Sequence, residues 1–468
     1  MGTPLALGAA ALPSLAADGI AVPTYDRAAL QPRIVHIGVG GFHRAHMALY
    51  THELAQGGGT WAIQGLGLLP ADAAMAGVLA AQDHLYTLIE RGPDQPTVQV
   101  VGSLVDHRAT ADHPDAAIAV LADPAVAVVS LTITEAGYTE SDGDSPDTFT
   151  VLTAALERRR AGGHEPLTVL SCDNLPGNGA VARRATERAA RRHGPALGSW
   201  IDVHCRFPNS MVDRITPVTT DDDRAWLRQH AGIDDGWPVV AEPFRQWVIE
   251  DDFAGERPRW EDVGVLFADD VHAWELYKLR LLNAGHSSMA YLCALAGITF
   301  VDEAMADTGV RSFVTTLLHD EAIPTLTEIP GHRREDYAAT VLARFANTGV
   351  RDQIARLCID GSAKFPTFLL PTIAQQLAVG GPIARGCLAL AGWARYLVEI
   401  PEDHQAFDAS ATLARRHARR AVAEPARFLD YAEVFPATLR DDHRFRLAFE
   451  VAYERIGAVG PHAAMADA

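Results

Sequence analysis

The chain has no CxxC pair, no HExxH, no GxSxG elbow, no GxxxxGK[ST] loop and no apolar run long enough to span a bilayer. Each absence removes a class of protein. Zincins, α/β-hydrolases and P-loop NTPases lose their signatures, and no membrane span is expected. The five cysteines (Cys172, Cys205, Cys293, Cys358, Cys387) are scattered and odd in number. That speaks against a disulfide framework or a Cys-rich zinc site and fits a reducing cytoplasm. His204-Cys205 has no partner at ligand spacing, and Gly163-His-Glu-Pro166 lacks the later glycines of a zinc alcohol dehydrogenase motif. No Tyr-x-x-x-Lys with a suitable upstream serine occurs, so short-chain dehydrogenase chemistry is not indicated. Cationic surplus is missing too. With 59 acidic and 40 basic residues the formal charge is −19, which argues against nucleic acid or an anionic membrane as the main partner. Met1 to Ile20 lacks a basic n-region and is interrupted by Asp18, so it reads as a surface arm and not a signal peptide.

What remains is a soluble composition, 48% hydrophobic and 21% charged, over 468 residues, enough for two large domains. The first half alternates short aliphatic runs (Ile34–Ile37, Trp61–Leu66, Val98–Val101, Ala127–Thr134, Thr168–Cys172) with helical stretches such as Phe42–Leu54 and Thr148–Arg160. Asp147 can cap the second helix and Gly162-Gly163 can end it. Such alternation predicts a parallel, doubly wound α/β sheet, with strands continuing through Val203–Arg206 and Val239–Val240. Beyond about residue 265 long helical patterns dominate: Trp274–Ala296, Val310–Asp320, Tyr337–Ala346, Ile383–Leu397 and Ala409–Ala423, broken at Pro324, Gly331, Gly361, Pro371 and Gly380-Gly381-Pro382. The expected domains are 1–262, dinucleotide-binding, and 263–468, mostly helical.

Arg33-Ile-Val-His-Ile-Gly-Val-Gly-Gly-Phe-His-Arg-Ala-His46 runs strand, glycine turn, helix. Gly38 can make the tight turn and Gly40 can let the backbone approach a pyrophosphate at the helix N-terminus. His43 stands where the third glycine of the fingerprint belongs, so spacing alone leaves a nucleotide site and an ordinary turn both open.

On an α-helical wheel Lys278, Asn283 and His286 fall in a sector of about 140°, interleaved with Leu279, Leu282, Met289, Ala290 and Cys293. A solvated face does not mix lysine with so many apolar neighbours. The helix should be buried, and burial lowers an amine's pKa toward that of a general base. A snorkelling Lys278 and a satisfied core His286 are the plain structural alternative. Ser171-Cys-Asp-Asn-Leu-Pro-Gly-Asn-Gly179 begins at the carboxyl end of a predicted strand, where open α/β sheets place ligands. Asn174 there, like Asn283, can donate an amide N–H to a developing oxyanion, while Asn178-Gly179 reads as a plain turn. Glu135 follows a buried strand toward the same edge. Asp213-Arg214 sits in an apolar frame, with an internal salt bridge as its simplest explanation.

These pieces together resemble the polyol-specific long-chain dehydrogenase/reductase family, from about Val22 to the C-terminal region. The likeness rests on Lys278-x4-Asn283-x2-His286, the turn Gly38, Gly40, Phe42, His43, Arg44, His46, and Gln82-Asp-His-Leu-Tyr-Thr-Leu88. It extends through Ser130-Leu-Thr-Ile-Thr-Glu135, Ser171-Cys-Asp-Asn174, Met211-Val-Asp-Arg-Ile215, Glu242 to Asp251 and Asp360-Gly-Ser-Ala-Lys-Phe-Pro366. The resemblance implies a Rossmann-type N-terminal domain, a mostly helical C-terminal domain, an active site between them and chemistry without metal. It implies Lys278 as general base, Asn174 and Asn283 holding the reacting oxygen, His286 fixing substrate and Glu135 gating proton exchange. Asp213, Arg356 and Lys364, with Val212, would contact the sugar-alcohol chain. Gly38, Gly40, Gly41, Phe42, His43, Arg44, Asp72 and Thr132 would line the cofactor. The expected reaction interconverts D-mannitol and D-fructose with NAD, which is favoured over NADP because no Lys or Arg adjoins Gly65-Leu-Gly-Leu-Leu-Pro70 and Asp72 is the nearest carboxylate. The alternatives are D-arabinitol, sorbitol or fructuronate as substrate, or a catalytically silent NAD- or sugar-binding protein. A monomer in the cytoplasm is expected, with a weak dimer as the alternative. The region after Tyr138 is shorter than the family pattern.

Overall fold

Five apolar runs form the central sheet: β1 (Gln31–Ile37), β2 (Trp61–Gly67), β3 (Leu104–Ala109), β4 (Val128–Leu131) and β5 (Thr168–Ser171). All pair in parallel in the order β3-β2-β1-β4-β5, with Ile34 opposite Ile63 and Val128, and Leu131 opposite Ser171. Alternate residues serve opposite faces, each covered by its own core. Val35, Ile37, Val129, Leu131 and Val169 pack into one apolar cluster, and Ile34, Ile63, Val128 and Leu170 into the other. This is a doubly wound, Rossmann-type sheet. The computed structural model describes residues 3–139 and 147–468, so most of the segment flagged as short after Tyr138, residues 140–146, lies outside the described residues. The chain divides into two compact units, Met1–His272 and Ala273–Ala468; the second is built almost wholly of helices.

Several elements depart from expectation for identifiable reasons. Val98–Val101 does form a strand, but it pairs antiparallel with Tyr86–Glu90, because a short turn joins them and short turns force antiparallel pairing. Val239–Ala241 lies beside Tyr86–Glu90 in that second sheet. β3 was not anticipated: its Asp106, His107 and Arg108 hide the strand signal, which an edge position tolerates. Val203 and His204 end a helix, Pro195–His204, with proline in its first turn; only Arg206 bridges to Thr168. The expected helix Phe42–Leu54 is two, α1 (Gly41–Ala45) and α2 (Met47–Gln56), broken at His46. The N-terminal segment lies mostly on the surface but is anchored at points along its length. Leu5–Ala6 pairs with Ile233–Asp234, and Leu7 and Leu15 are buried with Leu85, Val100 and Leu227, since their aliphatic side chains gain from leaving water. In the second unit a helix at His443–Ala466, capped by Asp442, packs along Ala384–Glu399; Gly460 and Pro461 kink it and mask its pattern in the sequence. Pro371 starts the helix Leu370–Val379 where a breaker was expected. Among the described residues no helix is long and apolar enough to cross a membrane.

Three buried imidazoles lie beneath the glycine turn. His36 on β1 bonds Ser130 Oγ at 2.8 Å and Thr132 Oγ1 at 2.9 Å, and its ring stacks on His43 at 3.6 Å. His107 on β3 is separated from His36 in register only by Gly65, whose missing Cβ leaves room for the His107 ring. Burial pushes His36 down to about 3 and His107 to about 4. Burial likewise takes His46 to about 3 and His52 to about 4.

The unfolded imidazoles take up protons near pH 6.5 and the folded ones only near 3–4. Their contribution to stability is therefore complete above about pH 6.5 and is lost progressively as pH falls toward 3, at up to about 1.4 kcal/mol per pH unit for each ring. His36→Gln retains hydrogen-bonding groups but does not titrate. Urea unfolding between pH 7 and 5 should show a slope shallower by about one proton than the parent chain; an unchanged slope would contradict the assignment.

Candidate active site

In the first unit the site is built at the carboxyl ends of the parallel strands. Gly38 leaves β1 at φ +90°, and a Cβ there would overlap the Thr132 carbonyl oxygen just past β4. The turn is locked by Gly38 N–H to Leu66 O (3.1 Å), Thr132 N–H to Ile37 O (3.1 Å) and Thr132 Oγ1–H to Gly38 O (2.7 Å). Around Gly40, by contrast, a Cβ would meet nothing closer than 3.8 Å. The backbone entering α1 at Gly41 is open to approach and has no side-chain cap, which fits a dinucleotide pyrophosphate. Asp72 folds back over Gly67 and accepts from Leu69 N–H at 2.9 Å, at the tip of β2.

His43 and Arg44, expected beside the cofactor, lie in the core. His43 stacks on His36, while Arg44 donates to Trp237 O and lies over the Tyr86 ring at 5.2 Å. Phe42 is half-buried and stacks on His46. Val212 and Asp213 are buried on the strand Ser210–Asp213, opposite Trp247 and Gln246. Arg214 makes its ion pair with Glu90 and also donates to the carbonyls of Ala45 and Glu242.

Glu135 is exposed after β4, following Thr134 at φ +62°. Asn174 is exposed after β5. Between these two turns lies Asp173, whose role the sequence pattern did not disclose. Its carboxylate accepts from Ile133 N–H (3.1 Å), Thr134 N–H (2.8 Å) and Tyr138 O–H (2.6 Å), and Tyr138 also meets Ser171 Oγ at 2.6 Å. Burial raises the Asp173 carboxyl above its ordinary range, against those hydrogen bonds. Asn178 is not the plain turn residue expected. Its buried amide donates to Asp173 O (3.0 Å) and Ser210 O (2.8 Å) and accepts from Ser210 N–H (2.9 Å), because the strand end beside it needs partners. Its neighbour Gly179 touches the Phe207 and Pro208 backbone, with no room for a Cβ.

In the second unit one long helical run carries the candidate groups. His272–Tyr277 and Ala284–Leu295 are α-helical, but Lys278–Asn283 between them is a π-helix. An α-helix sets residues five apart about 140° from each other. Closing the hydrogen bonds at i→i+5 widens the turn and brings position 283 round toward the face of position 278. His286, three residues on in α geometry, continues that face. Lys278 is buried, 9% exposed. Asn283 Oδ1 and His286 Nε2 are buried without a hydrogen-bond partner. The His286 ring stacks on Phe345 at 4.1 Å, and burial pushes it down to about 3, so it is neutral at working pH. Arg280 points away, to Thr325 O and Gln375 Oε1. A second π-helix, Leu317–Ala322, packs against the first.

Arg356 is half-exposed and pairs side-on with buried Asp352. Lys364 Nζ donates to Leu357 O at 3.2 Å, and burial, then Arg356, lowers its pKa. Lys278 and Lys364 are the only lysines in the chain; the other 38 of its 40 basic residues are arginine. Among the described residues no three His, Cys, Asp or Glu side chains gather as metal ligands.

Residues 32–262 match the family model described as the mannitol dehydrogenase Rossmann domain, and residues 270–457 its C-terminal domain. The mannitol 2-dehydrogenase of Phaeosphaeria nodorum is 41% identical over 96% of this chain and 84% of its own length. That of Aspergillus oryzae is 40% identical over 98% of each. Among solved structures, the Pseudomonas fluorescens mannitol 2-dehydrogenase ternary complex with NAD and D-mannitol superposes with a TM-score of 0.88 at 39% identity, covering 98% of this chain and 99% of that one. A substrate-free D-sorbitol dehydrogenase gives 0.89 at 33% identity, over 98% and 100%.

The contrast between the two glycines is testable. Gly38→Ala should cost more than about 4 kcal/mol, enough to prevent stable folding or nearly so, because strained φ and a backbone clash coincide. Gly40→Ala should melt within a few degrees of the parent. Equal melting temperatures for the two variants would contradict the geometry.

Proposed function

The chain belongs to the mannitol dehydrogenase family, and on that footing we propose that it catalyses the reversible, NAD-dependent oxidation of D-mannitol at C2 to D-fructose, without metal. The observation that carries this is the π turn, which sets a buried lysine and an asparagine with an unpaired oxygen on one face of a buried helix. A π turn leaves backbone hydrogen bonding poorer than an α turn, and such turns recur at functional sites.

The bound nicotinamide supplies the hydride acceptor. Everything else is asked of side chains. Lys278, buried on this helix, removes the proton from the reacting hydroxyl. Asn283 and Asn174 turn their carboxamide N–H groups to the oxygen as it becomes anionic. A neutral His286 offers its unpaired Nε2 to a substrate hydroxyl. Arg356 and Lys364 hold the far end of the polyol, with Asp213 and Val212 completing the substrate set. Glu135, exposed, exchanges the proton with solvent. For the dinucleotide, Gly38, Gly40, Gly41, Phe42 and Thr132 shape the turn, while His43 and Arg44 support it from the core. NAD is favoured because Asp72 stands at the tip of β2, and the nearest cation on the adjoining strand, Arg108, is already paired with Asp106. One chain supplies every group, so a monomer suffices. A cytoplasmic location agrees with five unpaired, buried cysteines.

Lys278→Ala should lower kcat about 10²–10⁴-fold while NADH binding, followed by fluorescence, stays within twofold. Turnover at the parent rate would overturn the lysine mechanism. Steady-state assays of mannitol, arabinitol, sorbitol and fructuronate with both cofactors should give the highest kcat/KM for mannitol with NAD. A clear preference for the uronate, or for NADP, would replace this assignment.

A further inference from the structure

Arg356 owes its place to a carboxylate that no motif singled out. Asp352 is 8% exposed, and its two oxygens accept from Arg356 Nε (2.7 Å) and Nη2 one helical turn on. The backbone that presents it is fixed on both sides. Val301 N–H donates to Asp352 O and Ile354 N–H to Thr299 O, both at 2.9 Å, around a bridge between Phe300 and Gln353. Just before it Arg351 adopts φ +52°, lies over the Phe300 ring at 3.7 Å and pairs with Asp302 and Glu303. A side-on carboxylate uses Nε–H and one Nη2–H of a guanidinium and leaves three N–H groups directed elsewhere in a fixed plane. The Arg356 side chain is half-exposed, so those three remain available.

Asp352 also stands in the field of the other candidate groups. Burial alone would raise its carboxyl; Arg356, by hydrogen bond and by charge, outweighs that and holds it below the ordinary range. Arg356 and Lys364 are cations within each other's influence, and Arg344 adds a third near His286. The Asp352 carboxylate acts on both Arg356 and Lys364 and so offsets part of that repulsion.

We propose that Asp352 is a positioning residue for substrate recognition: it aims the Arg356 fork at the polyol chain and balances the charge of Arg356 and Lys364. This rests on the reading above that Arg356 contacts the polyol.

The test is a double-mutant cycle on the full-length enzyme with Asp352→Asn, Arg356→Ala and the pair. Arg356→Ala should raise KM for mannitol about tenfold or more, the loss of a charge-assisted contact. Asp352→Asn should raise it similarly, with kcat changed less than about threefold and NADH affinity unchanged. In the pair the second substitution should add less than about twofold. Guanidinium ion added to Arg356→Ala should restore part of the lost KM, and should fail to do so when Asp352 is also replaced. Independent, multiplying effects, or equal rescue with and without Asp352, would overturn the inference. A parental KM in Arg356→Ala would instead overturn the reading on which it rests. Should Asp352→Asn melt early, the rescue of Arg356→Ala compared with Arg356→Ala carrying Asp352→Glu decides the matter, since glutamate keeps the charge but shifts the fork.

Discussion

A helix of uniform α geometry would hold Lys278 and Asn283 about 140° apart around its axis, with one of them turned toward the apolar packing on the far side. The i→i+5 turn narrows that angle, while Arg280, in the same turn, finds its own partners at Thr325 and Gln375. The second unit is arranged around this widened turn. Tyr277 just before it is tied to Ile329 and His332, and the second π segment packs beside it. Glu321 of that second segment reaches across to accept the first N–H groups of the helix Ala384–Glu399.

The first unit solves a related problem with different means. Loops at the ends of parallel strands must present polar groups without collapsing, and here buried polar side chains pin them from below. Asp173 gathers two backbone N–H groups and the Tyr138 hydroxyl, fixing the turn that carries Glu135 and the start of the one that carries Asn174. Arg214 and Arg44 do the same for the segment around α1, binding carbonyls of Ala45, Glu242 and Trp237. Arg214 tolerates its low-dielectric surroundings because each of its three nitrogens finds an acceptor.

Much of this was legible in the sequence. The strand–turn–helix around Gly38 and the periodic burial of the Lys278 helix followed from aliphatic runs and spacing, since those patterns reflect local physics. Other features depended on tertiary partners. A π turn leaves no trace in a hydrophobic wheel. His43 and Arg44 count as cofactor residues only through the family resemblance; the stacking of His43 on His36 and of Arg44 over Tyr86, which the sequence does not show, puts both side chains in the core. Asp352 sits in an unremarkable Arg-Asp-Gln, and its partner is one turn away on a helix only four residues long, Ile354–Leu357. β3 was hidden because an edge strand accepts charged residues, and the helix His443–Ala466 because its glycines and proline imitate a loop.

The near-absence of lysine has a practical corollary. A lysine-specific endoprotease has only two bonds to attack in this chain, one after Lys278 in the buried π turn and one after Lys364 inside the helix Gly361–Phe368. Neither can be cut until the surrounding helices open. The rate of digestion therefore reports local opening of the second unit alone, a built-in gauge of how firmly its helices close around those two amines.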